Sequence, residues 1–190
     1  MRLAILEDMH AILNRLSPSA TEMIRADHTR VLAVFHRYHI EASPRAKRAL
    51  VNAICLALEV HAQLEEEIFY PALRAADSSL VREQLEPEHD EMRRHIEALR
   101  RMAPTSEQYD ATFMELMRVV IHHVADEETI LLTHAESVLG DSLQTLGRQM
   151  AIRRLQLKAP RMAKSTGVWV LGGALLVGAL LGSRSLRRHA

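Results

Sequence analysis

The segment HAQLE at residues 61–65 is followed, 62 residues later, by HVADE at residues 123–127. In an α-helix the side chain at position i+4 lies above the one at position i, so each segment places an imidazole and a carboxylate on one helix face, about 6 Å apart. Both groups are common metal ligands in proteins. The two segments therefore predict two helices that each present a pair of metal-ligating side chains.

The composition of the 190-residue chain favours helices over sheets. Only 4% of its residues are aromatic, it has seven glycines, and it is rich in Ala, Leu, Glu and Arg, which are strong helix formers. A chain of this length can form one domain with a sizeable core. We therefore expect an all-α protein. Cys55 is the single cysteine, so no intrachain disulfide forms, as expected in a reducing cytoplasm.

Apolar residues recur every three or four positions in four stretches of about twenty residues, which is the pattern of helices buried along one side. The predicted helices run from about Ala20 to Ile40, from Pro44 to Pro71 or just after it, roughly from Leu80 to Met102, and onward from Glu107. In the third helix, Pro87 is expected either to bend the helix or to mark its true start. Ile68 and Ile130 are predicted on the buried faces of the second and fourth helices. Because the connections are short, an up-down-up-down four-helix bundle over residues 20–140 is the simplest arrangement.

The two halves of this bundle form an internal repeat. His28 and His89 lie 61 residues apart, and an acid, Asp27 or Glu88, precedes each of them. Both histidines fall on the predicted buried face of their helix. A bundle with twofold pseudosymmetry would turn the candidate ligands of the two halves toward each other, as in a site for two metals. The candidates are His28, His61, Glu65, His89, His123 and Glu127.

Buried imidazoles and carboxylates need partners, because each unsatisfied polar group costs roughly 1 to 3 kcal/mol. Ordinary core histidines bonded to glutamates are one explanation, but six such residues in register across a repeat favour a metal centre. If Glu65 and Glu127 bridge two metals, each metal has four protein ligands, and a bridging oxide or hydroxide leaves one position open. This donor set favours two iron ions over manganese or zinc. The open positions suit dioxygen, nitric oxide or peroxide.

Some neighbouring residues compete for these roles. His122 forms its own pair with Asp126 at i+4, but the 62-residue interval selects His123 as the ligand. A ferritin-like site would need Glu-x-x-His on two helices, and the chain has that pattern without a second copy in register. Three further acids are expected on a solvated face or as partners of the imidazole N–H groups: Glu66, Glu67 and Glu128.

The pattern H…HxxxE…H…HxxxE resembles that of hemerythrin-like (HHE cation-binding) domains. The resemblance covers about residues 20–140 and is carried by Asp27-His28, HAQLEEEIFYP, Pro87-Glu88-His89 and HHVADEE. It implies a four-helix bundle around a non-haem di-iron centre. Oxygen-carrying members have a histidine where this chain has Arg93, and an aspartate at i+5 where this chain has Glu127 at i+4. The resemblance therefore implies reaction with a small ligand, iron sensing or iron handling in preference to oxygen transport, and leaves open whether the protein is an enzyme.

Charge is distributed unevenly along the chain. Residues 1–140 contain 15 Lys and Arg against 23 Asp and Glu, whereas residues 141–190 contain nine against one. An acidic domain does not favour nucleic acid as a partner, and the basic tail favours a negatively charged surface. An N-terminal segment is predicted over 1–19. The predicted tail consists of a basic linker helix over 141–165, an apolar helix over 166–183 and a basic end over 184–190.

The apolar helix contains the uncharged run GVWVLGGALLVGALLG at 167–182. Its 16 residues span about 24 Å, and flanking residues with long basic side chains can extend this toward a hydrocarbon core of about 30 Å. We expect a single-pass anchor in the lipids of the cell membrane, with the bundle in the cytoplasm because the larger basic cluster precedes the run. Small residues at 174, 178 and 182 favour a homodimer of the spans. Alternatively, GALLGSRSLRR at 178–188 weakly resembles the peptides that load cargo into encapsulin shells.

Overall fold

The computed structural model describes residues 17–77 and 85–166. All regular structure in these two ranges is helical, which confirms the all-α prediction. The chain divides into two compact units, one ending at Ile152 and the other beginning at Arg153.

The described ranges contain seven α-helices and two π-helical segments. The α-helices are α1 Ala20–Phe35, α2 Pro44–Leu64, α3 Tyr70–Ala76, α4 Leu85–Arg101, α5 Glu107–Asp126, α6 Leu132–Leu139 and α7 Ser142–Thr166. The π segments are Glu65–Phe69 and Glu127–Leu131. Each π segment joins two α-helices without a break, so α2 continues into α3, and α5 continues into α6.

Serine side chains cap the helix starts that the sequence predicts. At α1 the Ser19 hydroxyl accepts a hydrogen bond from the Glu22 N–H at 3.2 Å, and the Glu22 carboxylate accepts one from the Ser19 N–H at 2.7 Å. Such a reciprocal cap stabilises a helix by about 1 kcal/mol. The Ser43 hydroxyl likewise accepts from the Ala46 N–H at the start of α2, where Pro44 occupies the first turn.

The predicted end of the first helix was wrong. Helix α1 ends at Phe35 rather than Ile40, because the N–H groups of Arg37 and Tyr38 bond to carbonyls only three residues back, at 3.0 Å each. These tight turns replace further α-helical turns. The described part of the third predicted helix is α4, from Leu85. The predicted start of that helix at Leu80 lies in residues 78–84, outside the described ranges.

The π segments explain the other differences on the second and fourth helices. In each segment the hydrogen bond spans five residues, as from the Tyr70 N–H to the Glu65 carbonyl, so one extra residue enters the turn. The following residues shift by one position: Ile130 is 50% exposed and Leu131 is buried, contrary to the prediction for Ile130. Ile68 is only half-buried for the same reason. The helical path also continues beyond Pro71 to Ala76, contrary to the predicted end.

The apolar faces of the four long helices meet in one core. Helix α1 packs against α2 and α5, and α4 packs against α5 and α2. Phe113 lies at the centre of this core, fully buried, with its ring centroid 5.8 Å from that of Phe35 and 4.2 Å from that of Tyr38. Burying one such aromatic side chain stabilises the fold by about 1.5 to 3 kcal/mol. Cys55 is also fully buried in the core.

The first turns of the basic helix α7 belong to the same compact unit. Leu143, Leu146 and Met150 are buried, and Gly147 lies directly against the backbone at Pro18 and Ser19. The linker helix predicted from residue 141 therefore begins as a packed part of the first unit. No helix in the two described ranges is long and apolar enough to cross a membrane. The uncharged run at 167–182, the basic end at 184–190 and residues 1–16 lie outside those ranges.

We expect the Gly147→Ala variant to be destabilised. An added Cβ atom would lie 2.3 Å from the Pro18 carbonyl oxygen and 2.8 Å from the Ser19 carbonyl carbon. Alanine favours a helix interior over glycine by about 1 kcal/mol, but the clash is with backbone atoms, so we expect a net loss of roughly 1 to 3 kcal/mol in the free energy of unfolding. Denaturant unfolding followed by circular dichroism measures this loss.

The control is Gln149→Ala, at an exposed position of the same helix, which should be nearly neutral. A Gly147→Ala variant as stable as the wild type would contradict the packing of α7 against Pro18 and Ser19.

Candidate metal centre

The six residues predicted as metal ligands come together inside the helical unit. Each is at most 5% exposed, although all six carry polar side chains. Their ligand atoms form two overlapping groups, with the atoms of each group within 4.8 Å of one another. The first group is His28, His61, His123 and Glu127, and the second is Glu65, His89 and His123.

The two carboxylates lie between the histidines of the two halves. Glu65 Oε1 is 3.0 Å from His61 Nε2, and Glu65 Oε2 is 3.3 Å from His89 Nε2. Glu127 Oε2 is 3.2 Å from His28 Nε2 and 3.7 Å from His123 Nε2. Each carboxylate thus faces one histidine of its own half and one of the other half. Glu65 does so with two different oxygens and Glu127 with a single oxygen, Oε2.

The opposite nitrogen of every imidazole faces an acid. His28 Nδ1 lies 2.9 Å from Glu128, and His89 Nδ1 lies 2.8 Å from Glu66. A carboxylate at Nδ1 fixes the ring orientation and leaves the lone pair on Nε2, where a metal would bind.

The other two histidines follow the same rule with different acids. His123 Nδ1 lies 3.1 Å from Glu88, and His61 Nδ1 lies 3.8 Å from Asp27, which is longer than a direct hydrogen bond. The pairing repeats between the halves. In both halves, the acid that precedes the single histidine lies beside the H-x-x-x-E histidine of the same half. The acid that follows Glu65 or Glu127 lies beside the single histidine of the other half.

The neighbouring acids take the two expected kinds of position. Glu66 and Glu128 lie beside imidazoles, and Glu67 lies on the exposed face, where it accepts a hydrogen bond from Gln63 at 2.7 Å. His123 is 1% exposed and lies in the centre, whereas His122 is 66% exposed and lies outside it.

Sequence reasoning did not assign Asp27 and Glu88 a role in the centre. The signal that marked them was their matching position before the single histidine in both halves.

Several buried atoms of the centre lack hydrogen-bond partners. Among the described residues these include Oε1 of Glu65, Nε2 of His89, Nε2 of His123 and Oε2 of Glu127. An unsatisfied buried polar atom costs roughly 1 to 3 kcal/mol. All four atoms are metal-ligand atoms directed into the same space, so a bound cation would satisfy them together. The donor set therefore fits a metal site.

The pKa values of the buried side chains also indicate that a positive charge in the centre would be favourable. Burial raises the pKa of Glu65 well above its usual range, and the charge of Glu127 raises it further. Burial also lowers the pKa of His61 to about 4. For Glu127, burial acts in the same direction as for Glu65, but the close contact with His28 and the other nearby imidazoles outweigh it and lower the pKa of Glu127. Burial alone thus favours neutral side chains, and a cation would favour ionised carboxylates.

Tyr70 distinguishes the two halves of the centre. Its side chain is fully buried, and its hydroxyl donates to Glu127 Oε1 at 3.2 Å or to Glu65 Oε2 at 3.4 Å. The tyrosine ring also stacks on His89, with centroids 5.8 Å apart. Burial raises the pKa of Tyr70 well above 10, so the hydroxyl keeps its proton. The equivalent position in the other half is Leu132, which has no hydroxyl.

Arg93 adds a second difference between the halves. Its guanidinium donates to the carboxylate of Glu66 and to Asp90. Although burial raises the pKa of Glu66, the hydrogen bonds from His89 and Arg93 outweigh it and lower this pKa to about 2. Arg93 therefore supports His89 through Glu66. Arg93 lies where oxygen-carrying members have a histidine, but in this chain it contacts Glu66, the acid beside His89.

Comparisons with known proteins agree with this geometry. A solved structure of a hemerythrin HHE cation binding domain-containing protein from Mycobacterium kansasii has a TM-score of 0.65 and 21% sequence identity, and the match covers 77% of this chain and 91% of that one. At this identity the likeness shows the fold alone. A DNA nickase from Nostoc sp. is 28% identical over 110 residues, which is 58% of this chain and 31% of the relative. The chain thus spans about a third of that relative's length.

The family model described as "Hemerythrin HHE cation binding domain" matches residues 19–135. This range is more than half of the chain and contains all six residues of the buried centre. The chain therefore belongs to the hemerythrin HHE cation-binding domain family.

Proposed function

We propose that the protein holds two iron ions, joined by an oxide or hydroxide, and that it binds, senses or reacts with dioxygen, nitric oxide or hydrogen peroxide at this centre. Membership of the family supports metal binding, with iron as the common metal. The observation that carries the proposal is the position of Glu65 and Glu127, because each faces one histidine of either half. The predicted up-down-up-down order of the four long helices is part of the proposal.

The six side chains divide into two sets under this proposal. His28 and His61 bind one ion, and their Nε2 atoms are 3.3 Å apart. His89 and His123, whose ring centroids are 4.8 Å apart, would hold the other ion. Glu65 and Glu127 would be shared by both ions. Donor atoms at about 2.1 Å from one ion lie about 3.4 Å from each other, which is close to the 3.3 Å between Nε2 of His28 and Nε2 of His61.

The donor types favour iron. Imidazole nitrogen and carboxylate oxygen without thiolate suit iron, with manganese or zinc as weaker alternatives. When bound, the iron pair would supply open coordination positions and a change of oxidation state. The chain's own contribution is to orient the imidazoles through their Nδ1 partners, to exclude bulk water, and to hold a proton on the Tyr70 hydroxyl beside both bridging carboxylates.

A non-enzymatic iron sensor or adaptor is the second candidate. The observation that supports it is that the candidate ligand side chains come from four helices, and that several of their buried polar atoms have no hydrogen-bond partner. Metal binding would therefore join the four helices and stabilise the fold strongly. The name of the Nostoc relative does not extend to this chain. Residues 1–140 carry an excess of acids, and we propose no nucleic-acid partner.

The direct experiment is metal analysis of the purified full chain, followed by optical spectroscopy of the anaerobic, reduced protein before and after dioxygen or nitric oxide. We expect iron to be the main metal and an oxo-bridged absorption band to change with the added gas. A protein that contains zinc and no iron would overturn the proposal. Metal-dependent melting without turnover of peroxide or nitric oxide would favour the sensor.

Two histidine variants form the matched control for this experiment. His61→Ala removes a buried ligand, and since loss of even an indirect ligand partner costs roughly tenfold or more in metal affinity, we expect at least that loss. His95→Ala removes a half-buried histidine that lies 3.8 Å from Glu91 and is not one of the six residues of the centre. This variant should keep its iron and its spectrum.

Attachment to membrane lipids through residues 166–183 remains a prediction from the apolar run. The full chain should stay with the membrane fraction in carbonate or high salt, and Leu176→Arg should release it, because a charge near the middle of a span is strongly unfavourable. Release of the wild-type chain under these conditions would contradict the anchor. It would instead favour the cargo-peptide alternative, in which these residues dock inside a protein shell. Pairing of spans into a homodimer depends on the same anchor.

A further inference from the structure

A second cluster of ligand-type side chains lies on the surface beside the buried centre. His122 Nδ1 is 3.0 Å from Glu88 Oε1 and 3.5 Å from Asp126 Oδ2. The ligand atoms of these three residues lie within 4.8 Å of one another. None of the three belongs to the six residues of the centre, and the proposed iron chemistry uses neither His122 nor Asp126.

The cluster is specific to the second half of the repeat. At the interval of 62 residues, His122 corresponds to Val60 and Asp126 corresponds to Leu64, and both of these apolar residues are buried. The internal repeat therefore accounts for the six residues of the centre but not for His122 and Asp126. Here the chain has a histidine and an aspartate at i+4 on α5, with a glutamate facing them from α4.

His122 is within hydrogen-bond distance of Glu88, and the distances in the cluster also allow one cation to contact all three side chains. Nitrogen and oxygen donors at about 2.1 Å from one zinc-sized ion lie about 3.4 Å apart, and His122 lies 3.0 and 3.5 Å from the two acids. A neutral imidazole has only one N–H, so it donates through Nδ1 to one acid at a time. Among the ion pairs of residues 17–77 and 85–166, neither Glu88 nor Asp126 pairs with Lys or Arg.

Glu88 is fixed in place before any cation binds. Only 18% of its side chain is exposed, and its other oxygen, Oε2, lies 3.1 Å from Nδ1 of the buried His123. The exposed fractions of His122 and Asp126 are 66% and 47%, so an ion could enter from solvent and keep water in its remaining positions. One carboxylate thus links the surface cluster to an imidazole of the centre.

We propose that Glu88, His122 and Asp126 form a surface site for a divalent transition-metal cation, coupled through Glu88 to the buried centre. Zinc, ferrous iron and manganese share the required preference for mixed imidazole and carboxylate donors. With three protein ligands and open positions, this site binds a cation more weakly than the enclosed centre does. A cation on Glu88 draws electron density from the carboxylate that orients His123.

The test uses Zn²⁺ alone as the probe, on the full chain with its centre already filled. Calorimetric titration of the wild type should show one added zinc per chain. His122→Ala and Asp126→Asn each remove one donor from an exposed position, so both variants should fold, and we expect zinc affinity to fall roughly tenfold or more. Metal analysis after the titration should show the metal of the centre unchanged.

His95→Ala is the matched control, because His95 and Glu91 form another histidine–carboxylate pair at i+4 on a neighbouring helix. There Arg118 lies 3.7 Å from Glu91, so a positive side chain occupies the place of a cation. Zinc binding should be unchanged in this variant. Equal zinc affinity in His122→Ala and wild type, no added zinc in the wild type, or zinc uptake matched by loss of metal from the centre would each overturn the site.

The coupling has a separate readout and rests on the proposed iron centre. Zinc should shift the absorption band of the loaded centre in the wild type and leave it unchanged in His122→Ala. An unchanged band in the zinc-bound wild type would overturn the coupling through Glu88. The calorimetric result does not depend on which metal fills the centre, so failure of the iron proposal and failure of the surface site are distinguishable.

Discussion

The contact on which the rest of the structure depends is that of two buried carboxylates with four buried imidazoles. Removing such groups from water is unfavourable unless each gains a partner, and the protein supplies only part of the partners that these groups need. The Nδ1 atoms face Asp27, Glu66, Glu88 and Glu128, while several inward-facing atoms have no hydrogen bond. A bound cation would complete this network, in which all six side chains are buried.

The internal repeat determines how the network is built, and the departures from the repeat give the two halves different properties. Glutamates at equivalent positions begin both π segments, and acids at equivalent positions orient the four imidazoles. Tyr70 and Arg93 have no equivalent in the other half, and both act on the side of His89. His122 and Asp126 are likewise unique to one half. The two proposed metal positions are therefore inequivalent, and only one of them has a link to a surface cluster.

Most of the centre could be predicted from the sequence, because helical spacing and the repeat intervals of 61 and 62 residues identify all six residues that the structure brings together. The all-α class and the helix starts at Ala20, Pro44 and Glu107 followed from composition and periodicity. The exposure of Ile130 and the continuation of the helix past Pro71 could not be predicted, since a π turn adds one residue to an otherwise regular helical pattern. The partners of Asp27 and Glu88 depend on packing between helices, which periodicity does not encode. Neither does it reveal that the Tyr70 hydroxyl reaches both carboxylates.

X-ray absorption spectroscopy at the iron edge tests the central claim most directly, because it reports the ligand atoms of the iron and any second metal nearby. For the purified, iron-loaded chain, two ions bridged by Glu65 and Glu127 predict only nitrogen and oxygen in the first coordination sphere. They also predict an iron–iron scattering path below about 4 Å. In the His61→Ala variant this path should be lost or strongly reduced. A spectrum without an iron–iron path in the wild-type protein, or with sulfur among the ligands, would contradict the proposed centre.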